Sequence, residues 1–147
     1  MPPVLRQALR GDIAGMFRVR YAVTENRLIS KSISERDVVA ELENTGRGWV
    51  IESGGEIVAF CIGNVRTGNI WALFVDPKHE GIGYGRRLHD TVVDWLWSRG
   101  LKRLWLTTAS GTRAQRFHER AGWVCSGFAP SGELRFELSK PDRSGTP

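Results

Sequence analysis

The chain has 147 residues, which suits one domain with one hydrophobic core. With 41% hydrophobic and 25% charged residues, its composition is that of a soluble globular protein, and no apolar run approaches the ~20 residues of a membrane span. The net charge of +5 is spread among acids without a run of five basic residues and also suits a protein that holds a phosphate-rich cofactor, so charge alone does not decide; we expect no nucleic acid as a partner. The first residues lack the apolar core of a secretory signal, so we expect a cytoplasmic protein that binds no membrane.

The hydrophobic pattern predicts a β-α-α-β-β-β-α-β-α-β-β order. Gly11-Asp12 offers an N-cap for the first helix. A capping box at Ser34 and Asp37 opens the second helix, residues 44–48 break it, and Gly100 ends the third. The predicted elements are a strand at 4–8, helices at about 11–23 and 34–43, strands at 49–52, 56–65 and 69–75, a helix ending at 100, a strand at 101–108, a helix at 112–121, and strands at 123–128 and 133–138. This order predicts an α+β fold, a mixed and mostly antiparallel sheet with helices on its faces, in a single domain over 1–139. The polar tail at 140–147 is expected to be disordered.

Three alternating glycines, Gly81, Gly83 and Gly85, stand between a predicted strand and a predicted helix. Without Cβ atoms they let backbone N–H groups approach an anion, and the helix N-terminus adds its unpaired N–H groups and its dipole. The spacing differs from the dinucleotide fingerprint G-x-G-x-x-G, and no Lys follows as a P-loop requires. The pattern therefore predicts a pyrophosphate site, and a glycine-rich connection without a ligand stays open as the alternative.

Residues 75–88, VDPKHEGIGYGRRL, resemble the acetyl-CoA motif of the GNAT superfamily of N-acetyltransferases, V-x-P-x-x-[RQ]-G-x-G-[IV]-G-x-x-L. Residues 111–123 resemble its second motif, N-x-x-A-x-x-F-Y-x-x-x-G-F, and the resemblance covers about 4–138. Several positions depart from the pattern; among them, Glu80 replaces Arg or Gln, Gly111 replaces Asn, and His118 replaces a tyrosine that serves many members as general acid.

The resemblance implies a GNAT-like domain that uses acetyl-CoA as co-substrate, with no metal. A bulge in the strand, by resemblance at Leu73, Phe74 and Val75, would open backbone N–H groups that hold the thioester carbonyl and the pantetheine arm. The glycine turn would hold the pyrophosphate, and Arg86 or Arg87 would reach a phosphate unless they are simply solvated. The implied cofactor-binding residues are Leu73, Phe74, Val75, Gly81, Ile82, Gly83, Tyr84, Gly85, Arg86 and Arg87.

Each candidate catalytic group has a functional and a structural interpretation. His118 is a candidate acid for the departing thiolate, the alternative being a packing histidine with water as the proton source. Glu25 is a candidate for binding or deprotonating the amine, the alternative being a solvated loop carboxylate. Asn69 stands where many members carry a glutamate, and an amide is no useful base. His79 and His89 are expected to be exposed and have no assigned role.

The acceptor is expected between the first two helices and the sheet, near Asn26, Arg27 and Trp71, although Trp71 would also suit sheet packing. Arg27 admits a carboxylate-bearing acceptor and Glu25 a cationic one, so the charge of the acceptor stays open. We expect a small-molecule primary amine, acetylated by direct attack in a ternary complex. The alternatives are a protein amine and a non-catalytic acyl-CoA-binding module. The sequence is also compatible with a homodimer.

Overall fold

The computed structural model describes residues 2–23 and 34–141. Within these ranges the predicted order of strands and helices is confirmed. The strands are β1 (Val4–Gln7), β2 (Gly46–Ser53), β3 (Glu56–Asn64), β4 (Ile70–Val75), β5 (Arg103–Thr108), β6 (Val124–Phe128) and β7 (Leu134–Ser139). The helices are α1 (Ile13–Ala22), α2 (Glu35–Ala40), α3 (Tyr84–Ser98) and α4 (Arg113–Arg120). None of the described helices is both long enough and apolar enough to cross a membrane.

The strands form two antiparallel sheets that meet at one parallel contact. The first sheet has the order β1-β2-β3-β4 and the second the order β5-β7-β6. An isolated parallel bridge between Asn69 and Trp105 joins them. Beyond it β4 and β5 share no ladder within the described residues, and we call the gap between them the fork. The expected mixed, mostly antiparallel sheet is thus confirmed, and the fork exposes one backbone edge of β4.

Helices cover both faces of the first sheet. On one face Leu88, Val92 and Leu96 of α3 are fully buried, with the β5–β7 sheet completing that core. On the other face α1 and α2 bury Met16 and Val38 among others. β3 is buried on both sides, which accounts for its nearly unbroken apolar sequence.

Two local predictions need correction. The chain was expected to break at 44–48, but a π-helical turn over Glu41–Thr45 leads directly into β2 at Gly46. This direct entry into β2 requires glycine at positions 46 and 48. A Cβ on Gly46 would overlap the Gly63 carbonyl oxygen of β3, and a Cβ on Gly48 would lie 2.5 Å from a Leu42 methyl carbon. Asp12 stands at the N-cap position of the first helix, as expected, but its side chain makes no capping hydrogen bond; its carboxylate instead accepts from the Leu9 amide at 2.8 Å.

The capping box that opens α2 is confirmed. The Asp37 amide donates to the Ser34 hydroxyl at 3.2 Å, and the Ser34 amide donates to the Asp37 carboxylate at 3.1 Å. Two amides that the helix itself leaves unpaired are thereby satisfied.

Candidate active site

The glycine turn connects β4 to α3 through backbone conformations that favour glycine. Pro77 opens a short 3-10 turn after β4, and the Asp76 carboxylate accepts from the Lys78 amide at 2.9 Å. Gly81 then has φ +80° and Gly83, the N-cap of α3, has φ +95°. L-residues rarely adopt this region, and no atom lies within 4 Å of where a Cβ would be at either position. The glycines are therefore required by backbone conformation and leave open space beside the turn.

The N-terminus of α3 presents backbone donors toward that space. The first helical hydrogen bond runs from the Arg87 amide to the Gly83 carbonyl at 3.1 Å. The amides of Tyr84, Gly85 and Arg86 consequently have no acceptor within the helix, and the positive end of its dipole lies at the same place. A Cβ on Gly85 would come within 3.6 Å of both Val75 and Phe117, so its absence widens the gap between β4 and α4.

A cavity of about 220 Å³ lies against this turn. Eight of the ten predicted cofactor-binding residues line it: Leu73, Phe74, Val75, Gly81, Gly83, Tyr84, Gly85 and Arg86. Ile82 and Arg87 are not among its lining residues; both are exposed, Ile82 at 61%. We call this space the turn cavity.

Charged side chains at the turn cavity pair with one another. The Arg86 guanidinium donates to Asp90 one helical turn further on, at 3.1 Å, so that its charge is partly balanced. The negative charge of Glu80 is unfavourable beside a pyrophosphate. Its carboxylate oxygen Oε2 lies 3.7 Å from Nε of the Arg113 guanidinium. Because Arg113 also lines the cavity, it offsets the carboxylate there. Both pairs are largely solvent-exposed and contribute little to stability.

The register of β4 determines which of its amides face the fork. The Asp76 amide donates to the Val58 carbonyl at 2.8 Å, and the pairing continues through Phe74 with Phe60. In an antiparallel ladder hydrogen-bonded positions alternate, so the backbone groups of Leu73 and Val75 point away from β3, into the fork. These are two of the residues expected to hold the pantetheine arm and the thioester.

The expected bulge in β4 is present but at a different position. Pairing with β3 passes from Ala72 opposite Ile62 to Ile70 opposite Gly63, which leaves Trp71 as the extra residue. Leu73, Phe74 and Val75 pair regularly, so the prediction that the bulge itself lies in Leu73–Val75 is wrong. A period-two pattern cannot locate one inserted residue at the bridge where two sheets meet.

A second cavity of about 700 Å³ lies on the other side of the fork. Its walls come from α1, β4, β5 and the β6–β7 hairpin, and half-buried Trp71 is among them. We call it the acceptor cavity. Four residues line both cavities: Leu73, Phe74, Ala114 and His118. Of the other predicted acceptor and base residues, Glu25, Asn26 and Arg27 lie outside the described residues.

His118 stands at the junction of the two cavities, inside a group of rings. It is 5% exposed, and ring centroids of Phe117, Trp123 and Phe136 lie 5.1, 5.6 and 6.4 Å away. This burial, together with the nearby His89 ring, lowers the pKa of His118 to about 3. Its Nδ1 is buried without a hydrogen-bond partner in the described part of the chain. At neutral pH the ring is therefore a neutral imidazole with an unused polar atom.

His89 is buried, so the expectation that it is exposed is wrong. It is 4% exposed on the core face of α3, adjacent to Leu88 and one turn before Val92. The Trp123 indole N–H donates to His89 Nε2 at 2.9 Å, and His89 Nδ1 lies 2.9 Å from an Asp90 carboxylate oxygen. The neutral ring thus carries its proton on Nδ1, and burial lowers its pKa.

Asn69 links β4 to β5 at the end of the fork where the two strands meet. Its side-chain amide donates to the Trp105 carbonyl at 3.2 Å, beside the parallel bridge between the same two residues. An amide suits this position because it can donate to a backbone carbonyl, which a carboxylate cannot do.

Glu133, a residue with no role predicted from the sequence, lines the acceptor cavity from the β6–β7 hairpin. Its hydroxyl partners are Thr107 and Ser131. No local motif marks this glutamate, because its position depends on β7 pairing with β5. The hydrophobic pattern predicts the strands but not the strand order.

Comparisons with known proteins agree on one family. The family model described as the acetyltransferase (GNAT) family matches residues 10–123. A mycothiol acetyltransferase of Beutenbergia cavernae is 30% identical over 82 residues, which are 52% of this chain and 28% of that protein. The chain thus matches little more than a quarter of that curated relative.

Solved structures share the fold over nearly the whole chain. The PaiA N-acetyltransferase of Thermoplasma acidophilum in complex with coenzyme A has a TM-score of 0.79 at 11% identity, covering 95% of this chain and 100% of that one. YncA of Salmonella typhimurium with acetyl-CoA has a TM-score of 0.76 at 17% identity, covering 97% and 99%. The ribosomal-protein-S18-alanine N-acetyltransferase of Escherichia coli has a TM-score of 0.72 at 18% identity, covering 97% of each.

Proposed function

Since this chain belongs to the GNAT family of acetyltransferases, we propose that it transfers the acetyl group of acetyl-CoA to a primary amine of a small molecule. The observation that carries this proposal is the pair of cavities joined at the fork. The turn cavity and the acceptor cavity share His118 and the Leu73–Phe74 segment of β4. Two substrates bound one on each side would meet there, which favours direct attack in a ternary complex.

The residues of the turn cavity fit the pyrophosphate and pantetheine of acetyl-CoA. Glycines with positive φ leave open space, the amides of Tyr84 to Arg86 have no acceptor within α3, and the amides of Leu73 and Val75 point into the fork. Acetyl-CoA supplies the activated acyl group. The helix N-terminus would hold its pyrophosphate, and Leu73 and Val75 would donate to the pantetheine and to the thioester oxygen, where negative charge develops.

His118 is proposed to act as a neutral hydrogen-bond donor to the departing sulfur. With its pKa lowered to about 3, the imidazolium is absent at neutral pH, so the ring contributes an N–H rather than a full proton. The proton that the thiolate needs comes from the acylated amine as the new amide forms. The low dielectric of the surrounding rings strengthens such a hydrogen bond.

Two features support a small acceptor. The acceptor cavity of about 700 Å³ has the volume of a small-molecule site. The relative from Beutenbergia cavernae is a mycothiol acetyltransferase by name, and mycothiol is a small molecule. Glu25 remains a proposed residue for binding or deprotonating the amine, and Asn26 and Arg27 remain proposed acceptor-binding residues. Cytoplasmic location and dimerisation remain predictions.

Thiol release from acetyl-CoA in the presence of an amine panel tests the proposal. The panel contains phenethylamine, spermidine, free amino acids and a peptide with an unblocked N-terminus, and mass spectrometry identifies the acetylated product. We expect a small amine to accelerate CoA release. Tight CoA binding without acceleration by any amine would indicate a non-catalytic module, and acceleration by the peptide alone would indicate a protein acceptor.

The His118 role is tested with His118→Ala. We expect turnover to fall at least about tenfold, the value of one strong hydrogen bond to a charged group, with the Kd of acetyl-CoA changed less than about threefold. Arg116→Ala, on the exposed side of the same helix, is the control. Unchanged turnover in folded His118→Ala would contradict the role.

A further inference from the structure

The β6–β7 hairpin holds Glu133 in one orientation. The Glu133 carbonyl accepts from the Ala129 amide at 2.7 Å, and the Glu133 amide donates to the Ser131 hydroxyl at 3.3 Å. Its carboxylate oxygen Oε1 accepts from the hydroxyls of Ser131 at 3.2 Å and Thr107 at 3.3 Å. The other oxygen, Oε2, accepts no hydrogen bond within residues 2–23 and 34–141. A half-buried carboxylate is therefore fixed through one oxygen, and the second remains available to a ligand.

Glu133 lies at the level of the fork where the thioester is expected. β4 and β5 run parallel from the Asn69–Trp105 bridge, and Leu73 is four residues along from it. The β5–β7 register pairs Thr108 with Leu134, so Glu133 comes opposite Ala109, also four residues beyond the bridge. The carboxylate faces the same cavity as Leu73 and His118.

Among residues 2–23 and 34–141, the acceptor cavity has aromatic walls and one acid. Six of its lining residues are aromatic: Phe17, Phe60, Trp71, Phe74, Trp105 and Phe128. Among the described lining residues, Glu133 is the only carboxylate. Such a surface is complementary to an apolar, flat body that carries one positive charge.

Three basic groups also line this cavity. The Arg135 guanidinium stacks on Trp105 at 4.4 Å and lies 3.3 Å from the Glu137 carboxylate, so its charge is matched. His118 is neutral because burial lowers its pKa. Arg20 keeps its positive charge but comes from α1, whereas Glu133 comes from the second sheet. The negative end of the cavity is therefore at Glu133.

We propose that Glu133 binds the ammonium group of the acceptor and accepts its proton, and that the acceptor is a primary amine on an aromatic body. This inference rests on the proposed acetyl transfer. An alkyl ammonium has a pKa near that of lysine, ~10.4, so it arrives protonated and must lose a proton before it can attack.

The reaction balances with one proton released. The ammonium gives one proton to Glu133, which returns it to water, and the neutral nitrogen forms a C–N bond with the acetyl carbon. The C–S bond breaks with its electron pair on sulfur, and the second proton lost by nitrogen goes to that thiolate. The products are the N-acetyl amine, CoA thiol and one hydrogen ion.

Glu133→Gln is the test, with phenethylamine as the acceptor probe. The amide retains an oxygen for Thr107 and Ser131 but cannot take a proton. We expect kcat/KM for phenethylamine at pH 7 to fall about 100-fold, the lower end of the range for a general base. Glu133→Asp should recover part of the loss. The control is Glu56→Gln, an exposed glutamate that also follows a hairpin turn and lines neither cavity.

The pH profile separates a base from a structural role. In Glu133→Gln only amine already deprotonated in solution reacts, so kcat/KM should rise about tenfold per pH unit between pH 7 and 9. Wild type should be nearly flat there. Parallel profiles, or unchanged kcat/KM in Glu133→Gln, would overturn the assignment.

The result also separates this inference from the proposed function. If wild type acetylates other amines but not phenethylamine, the aromatic acceptor class is wrong. If wild type acetylates no amine at all, the proposed function itself fails. The Kd of acetyl-CoA, which should differ less than about threefold between wild type and Glu133→Gln, confirms that the turn cavity is intact.

Discussion

The buried His118 predicts a specific loss of stability in mild acid. Its pKa is about 3 in the folded chain, and the ring is 5% exposed. In the unfolded chain the imidazole titrates near ~6.5. Between these two values the unfolded state binds the additional proton, so the free energy of unfolding falls as pH falls through 6.5 and levels off below about 3.

The magnitude follows from the two titrations. At pH 5 the unfolded imidazole is almost fully protonated and the folded one is not, so His118 reduces the free energy of unfolding by about 2 kcal/mol relative to pH 7. His118→Phe keeps a flat ring among its aromatic neighbours and removes this titration. Other groups with a shifted pKa that do not contact His118, such as Asp12, are present in both proteins and cancel in the difference.

Urea unfolding at pH 7 and pH 5, on wild type and His118→Phe, provides the measurement. Between pH 7 and pH 5, the free energy of unfolding of wild type should fall by about 2 kcal/mol more than that of His118→Phe. If the two proteins lose equal stability between these pH values, His118 either is not buried as described or is already charged in the folded state.

The remaining predictions concern backbone and sheet geometry. Gly83→Ala places a Cβ at φ +95°, so it should lower the free energy of unfolding by about 1–2 kcal/mol in urea unfolding and weaken CoA binding in calorimetry. The control is Gly11→Ala, because Gly11 has no positive φ and no atom lies within 4 Å of where its Cβ would be. Equal effects of the two substitutions would show that the positive φ of Gly83 does not require glycine. Asn69→Ala removes the donor to the Trp105 carbonyl and should lower the free energy of unfolding in urea by about 1 kcal/mol. An unchanged urea midpoint would show that this hydrogen bond does not stabilise the contact between β4 and β5. Gly46→Ala would place a Cβ on the Gly63 carbonyl oxygen of β3 and should lower the free energy of unfolding by about 3 kcal/mol or more. A Tm equal to that of wild type would show that β2 does not approach the Gly63 carbonyl this closely.

The sequence predicted the elements well because their signals are local. Each of three signals depends on a few neighbouring residues: the Ser34–Asp37 capping box, the three glycines of the turn, and the periodicity of α3. The same holds for the glycine turn as an anion site, since strand, glycines and helix N-terminus are consecutive in the chain.

Features that depend on contacts between distant segments were missed. The burial of His89 depends on Trp123 from another part of the chain, and the bulge at Trp71 depends on where β4 leaves β3 for the bridge to β5. Glu133 belongs to the acceptor cavity only because β7 lies between β5 and β6. Sequence periodicity does not report such pairings.

Initial-velocity kinetics with both substrates varied would test the central claim most directly. If acetyl-CoA and the amine occupy the two joined cavities together, double-reciprocal plots at several fixed amine concentrations should intersect, as expected for a ternary complex. Parallel lines would indicate that the acetyl group is first transferred to the protein. That result would contradict direct transfer across the fork.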